Sequence, residues 1–259
     1  MISRTGLLAI LVVVLVTIVA PVAAHATTSS PTPSPTPSPS PSASPSASLP
    51  RPTKGKPLRI WFGGDSLAGA PGIAFVSLAR ATGVMRARNE YTVSSRIVES
   101  HNFNWPARMR QVMRTQRPRA VVFMMGGNEG GYSVVVNGKF LDFWRSGWRT
   151  YYRSRVRLML NIMLKGGAQR VYWVGMPMMG PQAYSGANAQ MRRINTIVRQ
   201  ELKRYPKARY IDAWSILTSR GTYVSGWRAG DGIHLSPSGG RRLAGAVLKA
   251  VKKDWLPAK

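Results

Sequence analysis

Ala120-Val121-Val122-Phe123-Met124-Met125-Gly126-Gly127 is the stretch whose reading decides the fold. An unbroken apolar run closed by a glycine pair is the mark of a strand buried on both faces, as in a parallel sheet covered by helices. Outward from it, residues 58–62 read as a short strand ending at Gly63-Gly64, and residues 66–82 carry apolar positions at helical spacing. Residues 90–94 form a weaker strand. On the other side, residues 142–165 are a long helix closed by Gly166-Gly167, 170–174 a strand, 187–204 a helix, 208–211 a strand and 237–251 the last helix. Strands alternating with helices predict an α/β fold with a parallel sheet.

In such sheets ligands bind beyond the carboxyl ends of the strands, near a topological switch point. The chemically distinctive residues fall there. Ser66 follows the first strand, Asn128 the third and Pro177 the fourth, while the loop with Asp231 and His234 precedes the last helix. Ser236 is a good helix N-cap and Pro237 a good first helical residue, so this loop is pinned from its C-terminal side.

The N-terminus reads as an export signal. Arg4 precedes an apolar run from Gly6 to Ala20, Pro21 breaks it, and Ala24-His25-Ala26 offers the small residues of a cleavage site, which makes 1–26 a signal peptide. The competing reading is an uncleaved anchor, since Gly6 to Ala24 is 19 residues and an apolar helix needs about 17 to 25 to span a bilayer. Residues 27–57 are mostly Pro, Ser, Thr and Ala, with almost nothing apolar to bury, and read as an extended, disordered linker. Residues 58–259 suffice for one domain with a sizeable core.

Composition narrows the chemistry. The chain has 37 Lys and Arg against 9 Asp and Glu. Without Arg4, Arg51, Lys54 and Lys56 the domain keeps 33 against 9, a formal +24. For an exported protein this points to an anionic cell-envelope polymer as partner, with nucleic acid not expected on compartment grounds. The competing reading is compositional bias, since 27 of the 37 cations are scattered arginines. Cysteine is absent, which excludes disulfides, a thiol nucleophile and thiolate metal sites. Three histidines exist, and His25 lies in the signal, so imidazole chemistry falls to His101 and His234. Asp-x-x-His can be part of a metal site, but two histidines and no acidic cluster do not complete one. His101 reads as a surface residue, and Asp65 as a residue that orders its own turn.

A serine hydroxyl needs a base to take its proton, a carboxylate to orient that base, and donors for the oxyanion that forms. His234 is the candidate base, Asp231 its partner and Ser66 the nucleophile. The Ser66 N–H and the Asn128 amide are candidate oxyanion donors.

Gly64-Asp65-Ser66-Leu67, Gly126-Gly127-Asn128-Glu129 and Asp231-Gly232-Ile233-His234 resemble, in order, the first, third and fifth sequence blocks of the SGNH/GDSL hydrolase family. The resemblance spans residues 58 to about 251 and is similar to an exported bacterial branch. It implies a flavodoxin-like three-layer α/β/α sandwich with a mostly parallel five-stranded sheet, a serine esterase or acyl-transfer mechanism, and no metal or organic cofactor. It assigns Ser66, Asp231 and His234 to the triad, and Asn128 to the oxyanion hole. Two positions depart from the pattern. The second block's glycine is missing, since none occurs between Gly83 and Gly126, and alignment puts Ser100 in its place as the further oxyanion donor. The third block ends in Glu129 where the family has Asp.

The function expected is therefore an exported, monomeric serine esterase that removes an acyl group such as acetyl from a cell-envelope glycan or related polymer. Two alternatives use the same residues. One is an O-acyltransferase that passes the acyl group to a wall polysaccharide. The other is a non-catalytic binder of anionic wall polymer. A membrane is a partner only if the N-terminal segment is uncleaved. The acyl group and alcohol are set by loops such as 130–138 and 178–186, whose sequence does not name them.

Overall fold

The computed structural model describes residues 49–256, apart from positions 101 and 132. The expected signal, the linker up to position 48 and His101 lie outside the described residues. Among those described, no helix is long and apolar enough to cross a membrane. Residues 49–57 have no regular structure, but Pro52 is buried and Leu49 packs on the core.

Five parallel strands form the central sheet: β1 (Leu58–Gly64), β2 (Met85–Tyr91), β3 (Ala120–Met124), β6 (Arg170–Val174) and β7 (Ala208–Ile211). Their spatial order is β2-β1-β3-β6-β7, the flavodoxin-like arrangement in which the chain reverses direction across the sheet between β1 and β3. Two small antiparallel hairpins lie outside it: β4 (Val134–Val136) with β5 (Lys139–Leu141), and β8 (Thr218–Ser219) with β9 (Thr222–Tyr223). The helices are α1 (Gly69–Ala81), α2 (Trp105–Thr115), α3 (Ser146–Lys165), α4 (Ala187–Leu202), the short α5 (Ala213–Ile216) and α6 (Pro237–Trp255). α1 packs against α6, while α3 packs against both α2 and α4, which gives the helical layers of an α/β/α sandwich.

All five residues of β3 are buried, as the apolar run predicts. Phe123, its fourth residue, meets Trp61 of β1, Trp105 of α2 and Trp173 of β6, with ring centroids 6.3, 5.6 and 5.0 Å away. The contacts with Trp105 and Trp173 are edge-to-face, the favoured geometry for aromatic quadrupoles. On the other face, Gly240 lets α6 approach α1 so closely that a Cβ there would lie 2.8 Å from the Ala70 carbonyl carbon.

Three elements differ from expectation. The second strand runs over Met85–Tyr91 and not 90–94: it is the sheet edge, so Arg86 and Arg88 belong to it although they break the apolar pattern. α2 is capped by Asn104, whose Oδ1 accepts the Ala107 N–H at 3.0 Å, and buries Trp105, Met109, Val112 and Met113. The expected loop 130–138 contains a hairpin strand, turned at Asn137 and Gly138, both with positive φ.

Candidate active site

The site is built where the chain leaves β1 and β3, the switch point of the sheet. Gly64 ends β1 with φ +152°, and a Cβ there would sit 1.7 Å from the Met124 carbonyl oxygen, so only glycine lets the two strand ends lie this close. Asp65 follows, fully buried. Its Oδ1 accepts the Leu67 N–H at 3.0 Å, capping the turn that carries Ser66. Its Oδ2 accepts the N–H groups of Gly126 and Gly127 at 3.0 and 2.8 Å. Asp65 thus orders its own turn, as expected, and also clamps that turn to the end of β3. Burial raises its carboxyl above the ordinary range, against the three N–H bonds and the attraction of His234.

Ser66 is half-buried at the head of this turn, just before α1. Its Oγ lies 2.9 Å from His234 Nε2. His234 Nδ1 lies 2.5 Å from Asp231 Oδ2. Asp231 Oδ1 also accepts the N–H groups of Ile233 and His234, at 2.8 and 2.9 Å, so one carboxylate both folds the loop and orients the ring. Burial acts to raise the Asp231 carboxyl, but the hydrogen bonds from the His234 ring and the two N–H groups outweigh it and bring it down to about 2. Asp231 is therefore a carboxylate throughout the neutral range.

The loop itself is braced from both sides. Ser236 Oγ accepts the Gly239 N–H, capping α6 as expected. Gly232 has φ +68°, and its carbonyl accepts the Gly180 N–H at 2.7 Å, docking the loop on the segment after β6. Arg228, nearly buried, donates through Nε and Nη2 to the Met178 carbonyl at 3.3 and 2.7 Å. Burial lowers its guanidinium to about 10, so it is still charged at neutral pH.

Asn128 is half-buried after Gly127, and its Nδ2 donates to the Ser95 carbonyl at 3.1 Å. The second-block residue placed against Asn128 is thus Ser95, which is buried and accepts through Oγ from Trp105 Nε1 at 2.9 Å. Ser100, the expected further donor, is exposed five residues on. The left-handed position of this turn falls on Ser94, with φ +53°, where the family pattern would favour a glycine nearby.

Glu129 has a role that its position after Asn128 does not announce. Fully buried, it accepts the Ile97 N–H through Oε1 at 2.7 Å and the Val98 N–H through Oε2 at 3.1 Å. The side chain, one methylene longer than aspartate, ties the end of β3 to the loop after β2. Tyr151 Oη–H and Arg155 Nε–H of α3 hold the same loop by its Val98 and Ile97 carbonyls. Burial, with the charge of Asp65 adding, raises the Glu129 carboxyl to about 8 against its two N–H bonds and Arg96. Among the described residues no cluster of His, Asp and Glu could hold a metal ion.

A strand-end serine, a histidine and a carboxylate in hydrogen-bonded series on a 2-1-3-4-5 parallel sheet define the class: the fold is that of the SGNH/GDSL-type hydrolases. The chain belongs to the family described as a protein of unknown function, DUF459, whose sequence model matches residues 59–250. Solved structures share the fold at low identity. A lipase/acylhydrolase from Enterococcus faecalis is 15% identical with a TM-score of 0.56, over 78% of this chain and 98% of that one. A GDSL-like lipase from Bacteroides thetaiotaomicron is 13% identical with a TM-score of 0.53, over 79% and 92%. A catalytic mutant of an acetylxylan esterase from Geobacillus stearothermophilus is 14% identical with a TM-score of 0.52, over 76% and 95%. No curated protein sequence matches the chain.

Proposed function

We propose that the protein is a serine ester hydrolase in which Ser66 is the nucleophile, His234 the general base and acid, and Asp231 the carboxylate that orients the imidazole. The observation that carries this reading is the unbroken path Ser66 Oγ, His234 Nε2, His234 Nδ1, Asp231 Oδ2, with gaps of 2.9 and 2.5 Å. With Nδ1–H donated to Asp231, Nε2 presents its lone pair to the serine hydroxyl.

Ser66 Oγ attacks the ester carbonyl carbon as its proton passes to Nε2, and the carbonyl oxygen becomes an oxyanion. The Ser66 N–H and the Asn128 Nδ2–H are the donors assigned to it. Collapse of the intermediate breaks the bond to the alcohol, which takes the proton from His234. Water then repeats the sequence on acyl-Ser66 and releases the acid.

The site is open: the Asp231 and His234 side chains are 44% and 43% exposed. An open triad suits an ester carried on a large alcohol, such as a polymer, better than a small ester enclosed on all sides. The domain's +24 charge suits an anionic polymer of the cell envelope, and the apolar segment after Arg4 suits export. An acetylxylan esterase among the structures sharing the fold is in keeping with a polysaccharide ester.

Hydrolysis of a chromogenic acetyl ester by the purified protein, lost in Ser66→Ala and in His234→Ala with folding intact, is the expected result. Absence of turnover in the parent chain would leave the fold without this activity. Adding a glycan acceptor with the acyl donor tests transfer: acylated glycan in place of free acid would make the enzyme a transferase.

A further inference from the structure

The arginine row Arg145, Arg149, Arg153 and Arg157, which starts at the N-cap of α3 and continues along the helix, lies along the seam with α4, and the seam is unevenly neutralised. Both helices follow a strand and precede the next parallel one, so both begin at the end of the sheet that carries Ser66. Far from that end, Arg157 donates to both oxygens of the buried Glu201, at 2.6 and 3.1 Å. Arg153 lies 3.7 Å from the same carboxylate and donates to the Gln200 amide oxygen. Nearer the active-site end the pairing stops. Among the described residues, neither Arg149 nor Arg193 has a carboxylate within salt-bridge distance. Arg193 lies over the rings of Phe143 and Trp144, 5.5 and 5.4 Å from their centroids, and its Nε is buried without a hydrogen-bond partner. Among the described residues its one hydrogen bond is a long one, 3.5 Å, from Nη2 to the Arg145 carbonyl.

These side chains line a groove of about 380 Å³, formed by Arg149 and Arg153 of α3 and by Arg192, Arg193, Thr196 and Gln200 of α4. No acidic residue is in the lining. Burial and the repulsion of Arg149 lower the Arg193 guanidinium, with Asp142 a weaker attraction. Like charges gathered on two rigid helices, with no carboxylate among the lining residues, are what a tetrahedral oxyanion would satisfy. The planar guanidinium fork matches phosphate geometry through paired N–H···O bonds.

We propose that the Arg149/Arg193 end of the α3–α4 groove binds phosphate groups, and that its ligand is a phosphodiester-type polyanion rather than free phosphate. The lining runs from Arg149 to Arg153 on α3 and from Arg192 to Gln200 on α4, which meets successive charges, and both helices begin on the side of the sheet where Ser66 sits. Binding stands apart from the hydrolase reading. Its consequence, that a chain held here is brought towards Ser66, rests on that reading.

The test measures affinity of the full chain for long-chain inorganic polyphosphate and for inorganic phosphate at fixed ionic strength. The R149Q/R193Q pair is compared with R86Q/R88Q, which removes the same charge from the edge strand β2. R149Q/R193Q is expected to weaken polyphosphate binding by about tenfold, and R86Q/R88Q by less than about twofold, because a general field responds only to net charge. Inorganic phosphate should bind more weakly than polyphosphate and respond to the same pair. Hydrolysis of a short chromogenic ester should be unchanged in R149Q/R193Q, so loss of binding and loss of catalysis are read separately. Equal weakening in both pairs, or none in R149Q/R193Q, overturns the site. Free phosphate binding as tightly as polyphosphate overturns the polymeric ligand. If R149Q/R193Q does not fold, the exposed Arg149 alone carries the comparison, as R149Q against R86Q.

Discussion

Replacing Asp65 by alanine removes the carboxylate that ties the Ser66 turn to the end of β3. Three N–H groups, of Leu67, Gly126 and Gly127, lose their acceptor in a buried place. A buried donor left unmade costs about 1 to 3 kcal/mol, while removing a carboxylate whose burial is itself unfavourable returns part of that. The net expectation is a loss of about 3 to 6 kcal/mol, a large share of the roughly 5 to 15 kcal/mol that holds a domain folded. For a domain of this size each kcal/mol moves Tm by about 2 to 4 °C, so Asp65→Ala should melt about 6 to 24 °C below the parent. Asp65→Asn keeps the shape but turns a donor towards at least one of the three N–H groups, and should fall in between. Thermal unfolding by circular dichroism reads both, and ester turnover should drop alongside as the two halves of the site drift apart. A Tm within about 3 °C of the parent, with turnover lost, would refute the clamp and make Asp65 a participant in proton transfer.

Other outcomes follow from the same geometry. Asp231→Asn should leave the fold intact and lower turnover by about 10⁴-fold, because the ring loses the partner that sets its tautomer; steady-state hydrolysis checks this. Asn128→Ala should lower kcat by about 10² to 10³-fold with KM little changed, as for an oxyanion donor; an effect on KM alone would give Asn128 to ground-state binding. Glu129 should make stability pH-dependent. Its folded carboxyl, at about 8, holds a proton that the unfolded chain releases near 4.5. Its contribution is therefore full below about 4.5 and is lost as pH rises through about 8, at up to about 1.4 kcal/mol per pH unit. The Tm of Glu129→Gln should fall less than the parent's between these limits, and parallel slopes would show that Glu129 is not the group responsible.

The sheet and the meeting of Ser66, His234 and Asp231 were legible because each has a local signature. β3 is apolar without interruption, and Asp231, Gly232 and His234 lie within four residues, so the carboxylate–imidazole pair can be read from spacing. β2 was displaced because an edge strand tolerates charge, and Arg86, Arg88 and Glu90 hide it. α2 and the β4–β5 hairpin carried signals that could have been used: Asn104 as N-cap with Trp105, Met109 and Val112 at helical spacing, and Asn137-Gly138 as a hairpin turn. The roles of Asp65 and Glu129 as clamps were not legible. Their partners are 61 and 32 residues away in the chain and are backbone N–H groups, which every sequence possesses. The missing second-block glycine was visible, but alignment placed its substitute at Ser100, whereas the loop folds so that Ser95 meets Asn128. Register in an irregular loop is decided by contacts from Trp105 and Glu129 and not by residue type at one position.

The central claim is that Ser66 is a nucleophile activated by His234. Treating the protein with a fluorophosphonate and mapping the adduct by mass spectrometry tests it most directly. One phosphonyl group on Ser66, absent in Ser66→Ala and strongly slowed in His234→Ala, is the predicted result. A folded protein that takes no label, or takes it on another residue at an undiminished rate in Ser66→Ala, would contradict it.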